Sequence, residues 1–266
     1  MAYVLQKIYD GYEYFFYDIK DERSENFFLI ENPPIAISLI LIGYVLLIKW
    51  GPMYMKERKP FDLKYFMMFY NFLQVTLNSY VSLMAIYRVL IIGEYNYECE
   101  PCDYTKTIKG LLLLRLTYYY FLLKVLDLFD TLFIVLRKKD SNLSFLHCYH
   151  HFFMVLGTFI AVRWVPGGHS TILGILNSMV HGFMYAYYFA TAFRPELKKS
   201  LWWKRYITQI QLIQFVLLLI HYLRATLAHD CKYPKFWLWI MVIQNVFMIS
   251  MFADFYWNAY IKKKQK

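Results

Sequence analysis

The segment SFLHCYHHFFMVLG sets three imidazoles, His147, His150 and His151, among leucine, phenylalanine, methionine and valine. At spacings i, i+3 and i+4 they share one helix face. A lone histidine on an apolar face is commonly a core residue. Three on one face offer metal ligation, general acid–base work or nucleophilic attack, since a neutral imidazole can accept an acyl group. LLKVLDLFDTLF supplies other chemistry: Lys124, Asp127 and Thr131 stand at i, i+3 and i+7, with Asp130 beside them. LNSMVHGFMYAYYF aligns Asn177, His181, Met184 and Tyr185, and TQIQLIQFV brings Gln211 and Gln214, with Gln209 on a different face. YNFLQV adds Asn71 and Gln74, while Asn245 and Asp254 are weaker candidates. Each set also has a plainer reading. The Lys–Asp pair can be structural, the glutamines can bond neighbouring helices, and Tyr187 and Tyr188 can belong to an interfacial belt.

The elements that must position these groups are membrane helices. The 266 residues are 59% hydrophobic and 21% aromatic, with few Gly and Pro, and the apolar residues gather in long runs. Such runs read as transmembrane helices. The expectation is an all-α integral membrane fold with seven spans, at about 35–50, 62–88, 110–136, 143–164, 169–192, 206–228 and 236–261. KIYDGYEYFFYDIKDERSEN is acidic and aromatic and has no apolar core of the signal-peptide kind. Residues 1–34 are therefore expected to form a solvent-exposed lead-in, with 35–261 one membrane domain and 262–266 a tail.

Charge orients the chain. KWGPMYMKERKP, RKKDSN, RPELKKSLWWKR and KKKQK hold most of the Lys and Arg, whereas the N-terminus and the alternate loops are acidic. The positive-inside rule places the N-terminus in the lumen and the tail in the cytosol. The net charge of +10 then reflects topology, and its scatter over several loops excludes a nucleic-acid interface. Cys99, Cys102 and Cys231 fall on the luminal side, where disulfides persist. One bridge from the 99/102 pair to Cys231 is expected, with Cys99–Cys231 preferred, and Cys148 reads as an apolar filler. A charge at a helix centre costs about 2.5–3.5 kcal/mol, so the intramembrane polar groups call for a role. Given the alternating helix directions, the sets on spans three to seven fall in the cytosolic half. One polar chamber open to the cytosol is expected, and the basic residues Lys204 and Arg205 at its mouth would attract phosphate-bearing anions.

KVLDLFDT, HCYHH, NSMVHGFMYAYYF, WWKRYITQIQLIQF and YNFLQV, in that combination, resemble the fatty-acid elongases, the membrane 3-ketoacyl-CoA synthases. The resemblance extends over about residues 61–262. It departs at Asp127, where the family usually carries Glu. It implies condensation of a long-chain acyl-CoA with malonyl-CoA, releasing CO2 and CoA and leaving a 3-ketoacyl-CoA two carbons longer. It also implies spans two to seven around an acyl tunnel, with span one peripheral. No metal or cofactor is implied. Implied partners are the two acyl-CoA substrates, the bilayer, the reductases and dehydratase of the cycle, and a second copy of the chain.

On that basis a ping-pong reaction is expected. His150 takes the acyl group, and His147 and His151 orient the ring or move protons. His181 and Asn177 stabilise oxyanions, and Lys124 and Asp127 hold the imidazole or the malonyl carboxylate. Asp130, Thr131, Tyr185, Gln211, Gln214, Lys204 and Arg205 are expected at the substrate. Lys263 and Lys264 resemble a dilysine retrieval signal, which places the protein in the endoplasmic reticulum membrane. Two rivals are a di-iron desaturase or hydroxylase and a seven-span receptor. His169, His221 and His229 are luminal in this topology, which leaves four of the seven histidines for a metal. A receptor has no need of a buried Lys, Asp and His cluster.

Overall fold

The computed structural model describes residues 2–31, 33–92, 95–194, 196–197 and 201–262. The secondary structure among them is helical, with no strand. In chain order the helices are α1 (Ala2–Glu13), α2 (Pro33–Met55), α3 (Lys64–Ile86), α4 (Ile108–Leu126), α5 (Leu128–Leu136), α6 (Phe145–Trp164), α7 (Thr171–Phe193), α8 (Leu201–Leu227) and α9 (Lys235–Tyr256). Among the described residues, four segments are long and apolar enough to cross a membrane: Ile35–Met55, Phe145–Trp164, Trp202–Leu227 and Lys235–Ile261. Helices α3, α4 and α7 are also long, but they carry the Asn, Gln, His and charged side chains that hold the candidate chemistry.

Local signals set the helix starts. The Ser144 hydroxyl accepts from the His147 N–H at 3.2 Å and caps α6. Thr107 caps α4 in the same way through the Gly110 N–H at 3.2 Å. Each cap satisfies one of the orphan amides of a first turn. The expected single span over 110–136 is broken at Asp127, between α4 and α5. There the Asp130 N–H bonds the Asp127 carbonyl at 3.1 Å, a three-residue step that tightens the helix for one turn.

The contacts divide the chain into two compact units, residues 1–60 with 103–167, and 61–102 with 168–266. In the first, α2 packs on α5 and α6, and α4 packs on α6. Its core includes Tyr44, Leu114, Phe121, Val155, Phe159 and Val162. The lead-in is not simply solvated. Its α1 and the following turn are largely exposed, yet Asp21, Ser24 and Ile30 are buried. The Asp21 N–H bonds the Arg163 carbonyl at 2.7 Å, and the fully buried Arg163 guanidinium donates to the Ile30 carbonyl at 3.2 Å. Hydrogen bonding at the end of α6 therefore ties this stretch down.

In the second unit α3 packs along α7, α7 on α8, and α8 on α9. A Cys99–Cys231 disulfide joins the loop after α3 to the loop after α8, with Cα atoms 5.4 Å apart, as expected. Cys102 and Cys148 are in no disulfide. Gly168, at φ +54°, has no room for a side chain: a Cβ there would lie 2.8 Å from the Tyr233 ring and 3.0 Å from the Cys102 nitrogen. Next to it the His169 and His221 rings stack at 3.7 Å and 8°. Each Nε2 bonds the other's carbonyl, at 3.1 and 2.9 Å.

Candidate active site

In the first unit the polar groups come from α2, the α4–α5 junction and the opening turns of α6. Lys124 donates through Nζ to Asp127 Oδ2 at 2.8 Å, and both side chains are buried. The order Lys before Asp is the less favourable one along a regular helix. The break at Asp127 changes that local geometry, and the ion pair forms. Lys124 also lies over the Tyr120 ring at 5.0 Å. Such a pair stands only while both partners remain, because either charge alone would be left uncompensated in an apolar surround.

One turn further on, the Thr131 hydroxyl meets His147 Nε2 at 2.8 Å and the Tyr44 hydroxyl at 3.1 Å. Tyr44 belongs to α2, the helix that the resemblance treats as peripheral, and it is buried. The His147 and His151 rings lie 4.3 Å apart at 45°, and His150 and His151 lie 5.6 Å apart, edge to face. His151 is buried, and His147 and His150 are half-buried. The three imidazoles thus form one contiguous cluster, with one ring fixed from outside α6. Asp130 is half-buried beside it in sequence.

In the second unit a polar seam runs between α3 and α7. Asn177, His181 and Tyr185 of α7 are all buried, and His181 lies 5.8 Å from the Tyr185 ring. Facing them, Asn78 Nδ2 donates to Gln74 Oε1 at 3.0 Å, and Gln74 Nε2 donates to the Tyr70 hydroxyl at 2.9 Å. The Tyr70 and Tyr185 hydroxyls are 3.5 Å apart. On α8, Gln211 bonds the Met184 sulfur at 3.9 Å, and Gln214 is buried. Lys204 is exposed. Arg205 donates to the Tyr256 hydroxyl at 2.7 Å, and Gln209 reaches the same oxygen at 2.8 Å. Asn245 bonds the Met241 carbonyl of its own helix at 2.7 Å, and Asp254 accepts from Asn258 at 3.0 Å. Lys263 and Lys264 lie outside the described residues.

Sequence reading missed Tyr44, Tyr70, Asn78 and Tyr256 as partners of the candidate groups. Asn78 carried a signal, since it lies four residues beyond Gln74 and shares its helix face. The tyrosines carried none, being three among 26.

The GNS1/SUR4 family profile, ELO, matches residues 28–266. The chain belongs to the ELO family. It is 36% identical over 264 residues to a very long chain fatty acid elongase of Aedes aegypti, covering 99% of this chain and 73% of that one. It is 37% identical over 253 residues to very long chain fatty acid elongase 4 of Homo sapiens, covering 94% and 78%. Very long chain fatty acid elongase 7 of Drosophila melanogaster is 36% identical over 265 residues, covering 98% and 79%. As a member of the ELO family, the chain has its histidine box in the opening turns of α6 and its second polar set on α3 and α7.

Proposed function

We propose that this chain is a fatty-acid elongase of the 3-oxoacyl-CoA synthase type. It condenses a long-chain acyl-CoA with malonyl-CoA in two half-reactions. In the first, a neutral imidazole nitrogen of His150 attacks the thioester carbonyl. The acyl–sulfur bond breaks, an acyl-imidazole forms, and CoA leaves with the proton given up by the ring. In the second, malonyl-CoA loses CO2 and its electron pair becomes an enolate. The enolate carbon attacks the acyl carbon, the acyl–nitrogen bond breaks, the ring nitrogen takes up a proton from solvent through His147 or His151, and a 3-ketoacyl-CoA two carbons longer results.

His147 and His151 orient the acylated ring and carry the proton. Lys124 and Asp127 hold the imidazole or the malonyl carboxylate, with Asp130 and Thr131 beside them. Asn177 and His181 act as donors to developing oxyanions. Tyr185, Gln211 and Gln214 contact substrate, and Lys204 and Arg205 take CoA phosphates, as guanidinium and ammonium groups do. No metal enters any of these steps.

The observation that carries this reading is the imidazole cluster at the start of α6, with His147 fixed through Thr131. Nucleophilic catalysis needs a ring held in one orientation beside a proton carrier. The orientation proposed is N-terminus luminal and tail cytosolic, in the endoplasmic reticulum. The disulfide supports it by requiring an oxidising compartment for Cys99 and Cys231.

The test is a single half-reaction. Purified protein given acyl-CoA alone should release CoA once per active site and yield an acylated peptide carrying His150. Turnover of labelled malonyl-CoA without any such adduct removes the nucleophile and leaves the histidines as acid and base. Failure to form a 3-ketoacyl-CoA from any acyl chain length removes the elongase reading itself.

A further inference from the structure

The hydroxyls of Tyr44 and Thr131 and the Nε2 of His147 form a chain of two hydrogen bonds, at 3.1 and 2.8 Å. It begins on α2, passes through α5 and ends on α6, and α2 packs on both of the others. Tyr44 is 3% exposed and Thr131 0%. Among the described residues neither hydroxyl has a further hydrogen-bond partner.

The protons of this chain can therefore be placed. A neutral imidazole carries one N–H, at Nε2 or at Nδ1, and its other nitrogen accepts. Each hydroxyl has one proton to give. If the ring proton is on Nε2, Thr131 must accept it. Thr131 then either donates to Tyr44, which strands the Tyr44 proton, or accepts from Tyr44 as well, which strands its own. Both arrangements leave a buried O–H without an acceptor, which disfavours them by about 5- to 160-fold. If the ring proton is on Nδ1, nothing is stranded: Tyr44 donates to Thr131, and Thr131 donates to Nε2. An imidazolium has N–H at both nitrogens and meets the same penalty as the first case. The chain thus holds His147 neutral, with its proton on Nδ1.

That N–H faces no protein acceptor. Among the described residues Nδ1 has no hydrogen-bond partner, and the ring is half-buried, not enclosed. His147 also shares a helix face with His150, one turn further along α6.

We propose that Thr131, held by Tyr44, is a positioning residue that fixes His147 as a donor through Nδ1 to the oxyanion formed when His150 attacks the thioester. The proposal rests on the elongase reading and divides its histidine roles. His147 donates a hydrogen bond and keeps its proton, so the proton transfers fall to His151. It also gives α2 a part in the chemistry through Tyr44.

Two substitutions separate a donor from a proton carrier, read as kcat for one acyl-CoA. Asn sets its amide where Nδ1 stands. Gln sets its amide where Nε2 stands and keeps the Thr131 bond. His147→Gln should lose an oxyanion donor and about 10²-fold in kcat, whereas His147→Asn should stay within about tenfold of wild type. Neither amide can carry a proton, so equal losses overturn the proposal. Ring 15N spectra of histidine-labelled protein read the tautomer itself, with the His147 signal identified by its loss in His147→Asn. Wild type should carry the proton on Nδ1, Thr131→Ser should keep it there, and Thr131→Val should give a mixture of tautomers. A wild-type Nε2–H, or a tautomer unmoved in Thr131→Val, overturns the proposal whatever the turnover. A wild-type protein that makes no 3-ketoacyl-CoA removes the elongase reading and the donor role with it. Wild-type turnover with equal losses in the two amide variants removes this proposal alone.

Discussion

Thr131 is a single hydroxyl shared by two partners, and that sharing makes it sensitive. It meets His147 at 2.8 Å and Tyr44 at 3.1 Å. Thr131→Val keeps the shape and deletes both bonds, so turnover should fall further than in Tyr44→Phe. The latter loses one hydrogen bond, worth about 0.5–1.5 kcal/mol or about 2- to 13-fold. Steady-state rates of the two variants check the order, and a Tyr44→Phe effect equal to that of Thr131→Val would contradict it. For Lys124 and Asp127, deleting either partner alone should destabilise the fold by about 3–5 kcal/mol. The double change Lys124→Met with Asp127→Leu should cost less than either single change to an apolar residue. Thermal melts of the three variants measure this. The histidine triplet was legible because helical periodicity is written into spacing. Tyr44 was not, because its partner lies 87 residues away and nothing local marks it.

At the scale of elements, the boundaries follow chemistry that sequence carries, and the irregularities follow packing that it does not. Ser144 and Thr107 announce the starts of α6 and α4 by their type. The break at Asp127 sits inside an unbroken apolar stretch and became visible only with the tightened turn around the ion pair. Likewise α1 was hidden by its aromatic, acidic composition, although Val4, Leu5 and Tyr9 form one exposed arc on it. Close helix contact is equally illegible. A Cβ on Gly51 of α2 would stand 2.8 Å from Val135 Cγ1 of α5. Gly51→Ala should therefore cost about 1–3 kcal/mol by overpacking. Val135→Ala in the same protein should return part of the loss. A melting point for the pair no higher than for Gly51→Ala alone would contradict this.

For the molecule as a whole, the stacked imidazoles of His169, before α7, and His221, on α8, add a pH dependence of stability. His169, in the turn outside the membrane helices, has its pKa held below the usual value by burial, with the nearby Arg224 acting in the same direction and the hydrogen bond to the His221 carbonyl opposing it. The unfolded ring takes up a proton near pH 6.5 and the folded ring only at lower pH. Stability from this site is thus complete above about pH 6.5 and is lost as the pH falls toward the folded value. The melting point should drop on acidification, and His169→Gln should flatten that drop; an unchanged slope would exclude the stack as its source. The disulfide carries one more consequence, a matter of parity. Two bonded sulfurs share a compartment, so the chain between Cys99 and Cys231 must traverse the bilayer an even number of times. Helices α6 and α8, long and apolar enough to cross, would account for two passages. The α4–α5 segment and α7 would then be bound to a common fate: both go through, or both turn back, and Lys124 and Asp127 could not be threaded without Asn177 and His181.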